Sequence, residues 1–279
     1  MSQFQMKNVL LTLLLILLGC QIAAASERPS RVVSINLCTD QLLLMLAEPE
    51  QIASVSHLAL EPNSSYMADK AAKFRINYAK AEELIELKPD LILAGLYNDR
   101  SLVLLLKKLG YRVEVFPLSS KLEDIRNNIR VMAELIGRET EGQRLISEMD
   151  KRLEQISRSN PTHKPRGAFY QPNGYTSGRN TLQHSALELA GWLNIADEEG
   201  VVGYGSLDLE RLILAKPEQL FTSSYAPGTQ SRGQLILKHP VLKQLTHGRE
   251  MIEVAYKYWI CGGPMITDAV EILHKSLPR

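Results

Sequence analysis

Between Gly137 and Ser157 the chain reads GRETEGQRLISEMDKRLEQIS, with Leu145, Met149, Leu153 and Ile156 recurring at helical spacing among charged residues. This pattern predicts one long amphipathic helix. The chain says the same thing twice around it: Ala81 to Leu93 is AEELIELKPDLIL and Leu209 to Phe221 is LERLILAKPEQLF. Each copy sets a Glu seven residues before the Pro of a Lys-Pro pair, follows the Pro with an acid, and then runs into apolar residues suited to a strand. Two similar α/β lobes are therefore expected, residues 26–136 and 161–279, joined by a single rigid helix within 137–160.

Apolar runs of strand length alternate with helical patterns along both halves. In the first, Arg31 to Asn36 is a β-branched strand, Leu37-Cys38-Thr39 a turn, and Asp40 to Leu46 a helix. A polar stretch from His57 to Lys80 reads as a long loop, and Ser120-x-x-Glu123 reads as a capping box opening the next helix. Such alternation argues for Rossmann-like lobes with mainly parallel sheets covered on both faces. In open parallel sheets ligands sit outside the carboxyl ends of the strands. Tyr66, Tyr97, Tyr175, Tyr225, Tyr258 and Trp259 all fall in loops at those ends, in a chain that is only 6% aromatic. Rigid aromatic faces with polar edges suit a bulky, partly apolar ligand.

Composition refines this picture at the N-terminus. Lys7, an apolar run from Val9 to Leu18 and Ala23-Ala24-Ala25 form a secretory signal over residues 1–25, too short to span a bilayer. Two routes of processing are open: cleavage after Ala25, the expected one, or lipid attachment at Cys20 through Leu17-Leu18-Gly19-Cys20. Loss of residues 1–25 removes one Lys and no acid, so 32 basic and 31 acidic residues become 31 and 31. A neutral chain gives no electrostatic reason to expect nucleic acid. Cys38 and Cys261 then remain on opposite sides of the linking helix. An oxidising compartment allows them to pair across the lobes, the alternative being two separately buried thiols.

Catalytic signals are weak. Cys38 with His57 or His184 has no motif that sets nucleophile against base, and a reactive thiolate needs such a neighbour. His57, Asp99 and His184 lack close metal-ligand spacing, and Gly203-Tyr204-Gly205 lacks the residues that a phosphate loop needs. The expectation is a binder without catalytic residues, cofactor or protein-ligated metal.

Arg31-Val32-Val33-Ser34, the Leu84 to Ile92 segment LIELKPDLI, the long helix, Gly203-Tyr204-Gly205-Ser206-Leu207 and Leu209-Glu210-Arg211-Leu212 together resemble the periplasmic substrate-binding proteins of ABC importers for ferric siderophores, haem and cobalamin. The resemblance covers essentially the whole chain after residue 25. It implies two lobes facing across a shallow cleft, small closure, a monomer, and a metal-chelate cargo passed to a permease with its ATPase subunits. It also implies that one exposed Glu on each lobe, Glu82 and Glu210, docks onto arginine pockets of that permease. Ligand contacts are expected from Cys38, Tyr66, Tyr97, Tyr175, Tyr225, Arg232, Tyr258 and Trp259, with an iron complex first and cobalamin second. The segments Asn36 to Asp40 and Trp259 to Pro264 depart from the best-known cobalamin and hydroxamate members.

Overall fold

The computed structural model describes residues 28–224 and 232–278. The expected signal segment 1–25 with Cys20, and Tyr225, lie outside the described residues, as does the side chain of Arg232. The first lobe runs β1 (Val32–Ser34), α1 (Leu37–Leu46), β2 (Ile52–Ser56), α2 (Ala68–Ala71), β3 (Ile76–Asn77), α3 (Ala81–Glu86), β4 (Leu91–Gly95), α4 (Arg100–Lys108) and β5 (Val113–Phe116). Its strands are all parallel, in the order β3-β2-β1-β4-β5. β1 and β4 are buried along their whole length, as continuous apolar strands in a doubly covered parallel sheet should be.

Two helices follow, α5 (Leu122–Ile136) and α6 (Glu139–Ser157). The second lobe contains β6 (Arg166–Phe169), β7 (Tyr175–Ser177), α7 (Leu182–Leu189), β8 (Leu193–Asn194), α8 (Ile195–Glu198) and β9 (Tyr204–Ser206). It continues with α9 (Leu209–Ala215), β10 (Gln219–Thr222), α10 (Pro240–Leu245), β11 (Ile252–Glu253) and α11 (Ile266–Lys275). A parallel sheet in the order β11-β10-β6-β8 reproduces the β5-β4-β1-β2 part of the first lobe, and β7 and β9 form a separate antiparallel ribbon. The repeated segments occupy equivalent places, as α3 leading into β4 and α9 leading into β10. Both helices stop before the Lys of the Lys-Pro pair, where Lys88 and Lys216 adopt left-handed backbone with φ of 47° and 50°. The following Pro cannot extend the helix, so the chain turns back into the sheet.

The long helix begins at Glu139 rather than Gly137, because Gly137 takes the left-handed conformation that closes α5 and Arg138 forms the junction. Its buried face is Gly142, Ile146, Met149 and Leu153, with Leu145 and Ile156 only partly covered. Gly142 is required by a close helix crossing: a Cβ there would lie 2.5 Å from the Ala133 Cβ of α5. The same apolar cluster continues from Leu43 and Ile129 through Met149 to Phe169, Phe221 and Val270, so α6 is packed into both lobes.

Three local expectations are corrected. Cys38 is the second residue of α1, since Asn36 caps the helix by accepting from the Cys38 N–H at 2.9 Å. The stretch 57–80 contains a single-turn helix and an edge strand rather than a loop alone. At the start of α5 the capping acid is Asp124, which accepts from the N–H groups of Ser120 and Lys121, while Glu123 pairs with Arg126 and Arg130. Among the described residues no helix is long and apolar enough to cross a membrane.

Asp40, in the first turn of α1, is fully buried and accepts from the Ser56 N–H at 3.0 Å and from the Ser56 hydroxyl. Burial pushes its carboxyl up from 3.8 to about 7, against the lowering effect of those hydrogen bonds. The folded protein therefore holds a proton that the unfolded chain releases, and stability from this group is present below about pH 4 and lost as pH rises towards 7. The slope is at most about 1.4 kcal/mol per pH unit. Melting temperature should fall between about pH 4 and 7, and Asp40→Asn should flatten that dependence; an equally steep curve in the variant would acquit Asp40.

Candidate ligand cleft

The two sheets direct the carboxyl ends of their strands towards one cavity of about 810 Å³. From the first lobe, the loops after β1, β4 and β5 contribute Asn36, Tyr97 and Leu118 among others, and Leu58, Glu61 and Ser64 come from the segment after β2. β1 and β4 are neighbours whose next strands lie on opposite sides, so Asn36 and Gly95 flank a topological switch point, where parallel sheets open a crevice. Gly95 ends β4, and a Cβ there would stand 2.5 Å from the Asn36 amide nitrogen, so any larger residue would displace the side chain that caps α1. Asn98 binds both loops together, accepting from the Gly95 N–H at 2.7 Å and donating to the Ile35 carbonyl at 2.8 Å.

On the second lobe the antiparallel ribbon is the main contributor. Tyr175 pairs with Ser206 and Ser177 with Tyr204, so both tyrosines project from one face of the ribbon. Both line the cavity and are largely exposed, at 58% and 70%. Tyr204 donates to Gln183 at 3.2 Å. Trp259 forms wall rather than platform. It is only 4% exposed, stands edge-on to Phe169 with ring centroids 5.1 Å apart, and donates its indole N–H to the Ser223 hydroxyl at 2.9 Å.

Cys38 and Cys261 also line the cavity and are joined as a disulfide, with their Cα atoms 4.8 Å apart. The bond links the first turn of α1 to the loop before α11, one lobe to the other. Away from the cavity a second contact crosses the same boundary. The Tyr66 hydroxyl donates to Asp268 at 2.8 Å and its ring tilts against Tyr258 at 6.1 Å. Arg152 of α6 reaches the same Asp268 at 2.6 Å. Burial and the Asp268 carboxylate push the Tyr66 phenol up to about 12, so it remains a donor at neutral pH.

The structure thus brings Cys38, Tyr97, Tyr175 and Trp259 to the cavity and sets Tyr66 and Tyr258 outside its lining, in the contact between lobes. Tyr97 is 80% exposed at the mouth. Arg179, near the cavity lining residue Asn180, is engaged by Asp197 at 2.5 Å. Lining residues that the sequence reading passed over include Glu61, Gln171, Gln183 and Tyr204. Glu82 and Glu210 lie elsewhere, each exposed at the second position of its helix, α3 or α9. Among the described residues neither forms an ion pair, and no cluster of three or more His, Cys, Asp or Glu is placed to hold a metal.

Two parallel α/β lobes, a helix packed into both, and a cleft at the strand ends define a solute-binding protein. The chain belongs to the periplasmic binding protein family, whose model matches residues 32–250. The family places it outside the cytoplasm. A cobalamin-binding protein of Halobacterium salinarum is 25% identical over 200 residues, covering 70% of this chain and 54% of its own length. The chain thus spans about half the length of that relative. Among solved structures, a periplasmic haem-binding protein of Vibrio cholerae superposes with a TM-score of 0.75 at 18% identity, covering 89% of this chain and 99% of its own. A Staphylococcus epidermidis protein, described as a possible iron-binding periplasmic solute-binding protein, gives 0.73 at 23% identity, covering 89% and 98%.

Proposed function

We propose that this protein is the solute-binding component of an ABC importer, capturing a metal chelate between its lobes and delivering it to the membrane permease. The observation that carries the reading is the 810 Å³ cavity at the strand ends of both sheets, with Tyr97, Tyr175 and Tyr204 around it. Such a space suits a bulky planar or globular complex that presents both apolar surface and hydrogen-bonding edges. The cargo is an iron complex or cobalamin; the names of similar proteins support each. The chelator fills the coordination sphere, so the metal takes no protein ligand in the siderophore and cobalamin cases. The mature chain acts as a monomer, free in the periplasm or anchored at Cys20.

Tryptophan fluorescence tests this directly, because Trp259 lines the cavity whereas Trp192 is fully buried and donates to the Leu273 carbonyl. Titration with ferric siderophores, haem and cobalamin should give saturable quenching by one of them at micromolar concentration or below, about −8 kcal/mol or better. Trp259→Phe should remove most of the quenching. No response to any of them, with calorimetry equally silent, would sink the metal-chelate assignment.

A further inference from the structure

We propose that the cleft selects its chelate by charge, taking neutral or singly cationic complexes and rejecting anionic ones, with Glu61 as the residue that sets the preference. This rests on the metal-chelate reading above and deepens it. The polar lining of the cavity is built from neutral groups: the amides of Asn36, Asn180, Gln171 and Gln183, and hydroxyls such as Ser177 and Thr181. Among the described lining residues Glu61 carries the single formal charge, and it is exposed and forms no ion pair with any described residue. The amides are committed in a particular sense. Gln171 accepts from the Ser223 N–H at 3.3 Å and Gln183 accepts from Tyr204 at 3.2 Å, each through its carbonyl oxygen, so what each side chain retains is an NH₂ donor. Neutral donors match the carbonyl and amide oxygens of an uncharged chelate. A multiply anionic complex would instead lose its hydration against groups that cannot compensate a charge, and would meet a carboxylate at the mouth. A cationic group on the chelate gains from that carboxylate, by an amount typical of an exposed pair.

Three ferric complexes of similar size separate the possibilities: a tricatecholate trianion, a linear trihydroxamate carrying one free ammonium, and the same trihydroxamate N-acetylated to neutrality. Cyanocobalamin, neutral, and aquacobalamin, cationic, form a second matched pair. Dissociation constants for the full mature chain should rank cationic ahead of neutral by about threefold to fivefold, with the trianion unbound in the measurable range. Glu61→Gln should bring each matched pair to equal affinity. A trianion bound as tightly as the neutral complex overturns the proposal. So does an unchanged cation preference in Glu61→Gln, or trianion binding that Arg232→Ala abolishes, which would assign the opposite charge to Arg232. Binding of none of the five, with haem equally silent, removes the metal-chelate reading, and this inference with it, whereas the other failures leave that reading standing.

Discussion

The Cys38→Ser, Cys261→Ser double variant is expected to melt roughly 10 °C below the parent chain. The bond closes a loop of 223 residues. In the loop-entropy description a cross-link over that span stabilises by about 5 kcal/mol, and removal of native bridges typically costs 2–5 kcal/mol. For a chain of this size each kcal/mol corresponds to about 2–4 °C. The effect is on the separation of the lobes as well, because both sulfurs lie in the wall of the cleft. Ligand should dissociate faster from the double variant, with a smaller change in association, since the tether limits how far the walls part once they are occupied. Calorimetry and stopped-flow fluorescence with and without the bridge measure both. An unchanged melting temperature would mean that packing of α6 into both lobes holds them without covalent help.

The second expected result is loss of transport without loss of binding. Glu82→Ala together with Glu210→Ala should leave the titration with chelate unaltered, since both carboxylates lie on helices α3 and α9 outside the cavity lining. Uptake through the permease should fall by about a hundredfold or more. Each carboxylate is proposed to accept a charge-assisted contact from an arginine pocket, and two such contacts, at about 1.5–3 kcal/mol each, account for that factor. Both are free to do so, being exposed and outside any ion pair among the described residues. The neighbouring Glu83 accepts from the Tyr78 N–H at 2.8 Å and is the natural control. Uptake of labelled chelate by cells carrying the cognate permease reads the effect, and a double variant that transports at the parental rate would remove the docking role.

The architecture was legible in the sequence because it is written in short-range patterns. The duplicated Lys-Pro segment marks a helix that stops and a strand that follows, and the structure shows why it is kept as a unit: a left-handed Lys and a Pro turn the chain from α3 to β4 and from α9 to β10. The linking helix shows in the same way, through the spacing of Met149 and Leu153. What spacing does not encode is where a loop side chain points. Tyr66 and Tyr97 look alike in the sequence, yet one hydrogen-bonds Asp268 across the lobes and the other stands at the cavity mouth. Tyr204 was hidden for another reason. It belongs to a ribbon whose other strand lies about thirty residues earlier, and its Gly-Tyr-Gly setting reads locally as a turn. The cap of α5 moved by one residue, from Glu123 to Asp124, because carboxylates at adjacent positions satisfy the same pattern and backbone geometry chooses between them.

The bridge between Cys38 and Cys261 also changes the connectivity of the molecule. With it, every described strand but β1, together with the linking helix, lies within one covalent macrocycle, while β1 precedes Cys38 and α11 follows Cys261. A protease that nicks any single peptide bond within the ring opens it but frees no fragment, so the lobes stay in register and the cleft keeps both walls. Two cuts are needed to part them. For a protein working outside the cytoplasm, where damage is not repaired by resynthesis in place, that topology lengthens service life in a way the melting temperature does not measure.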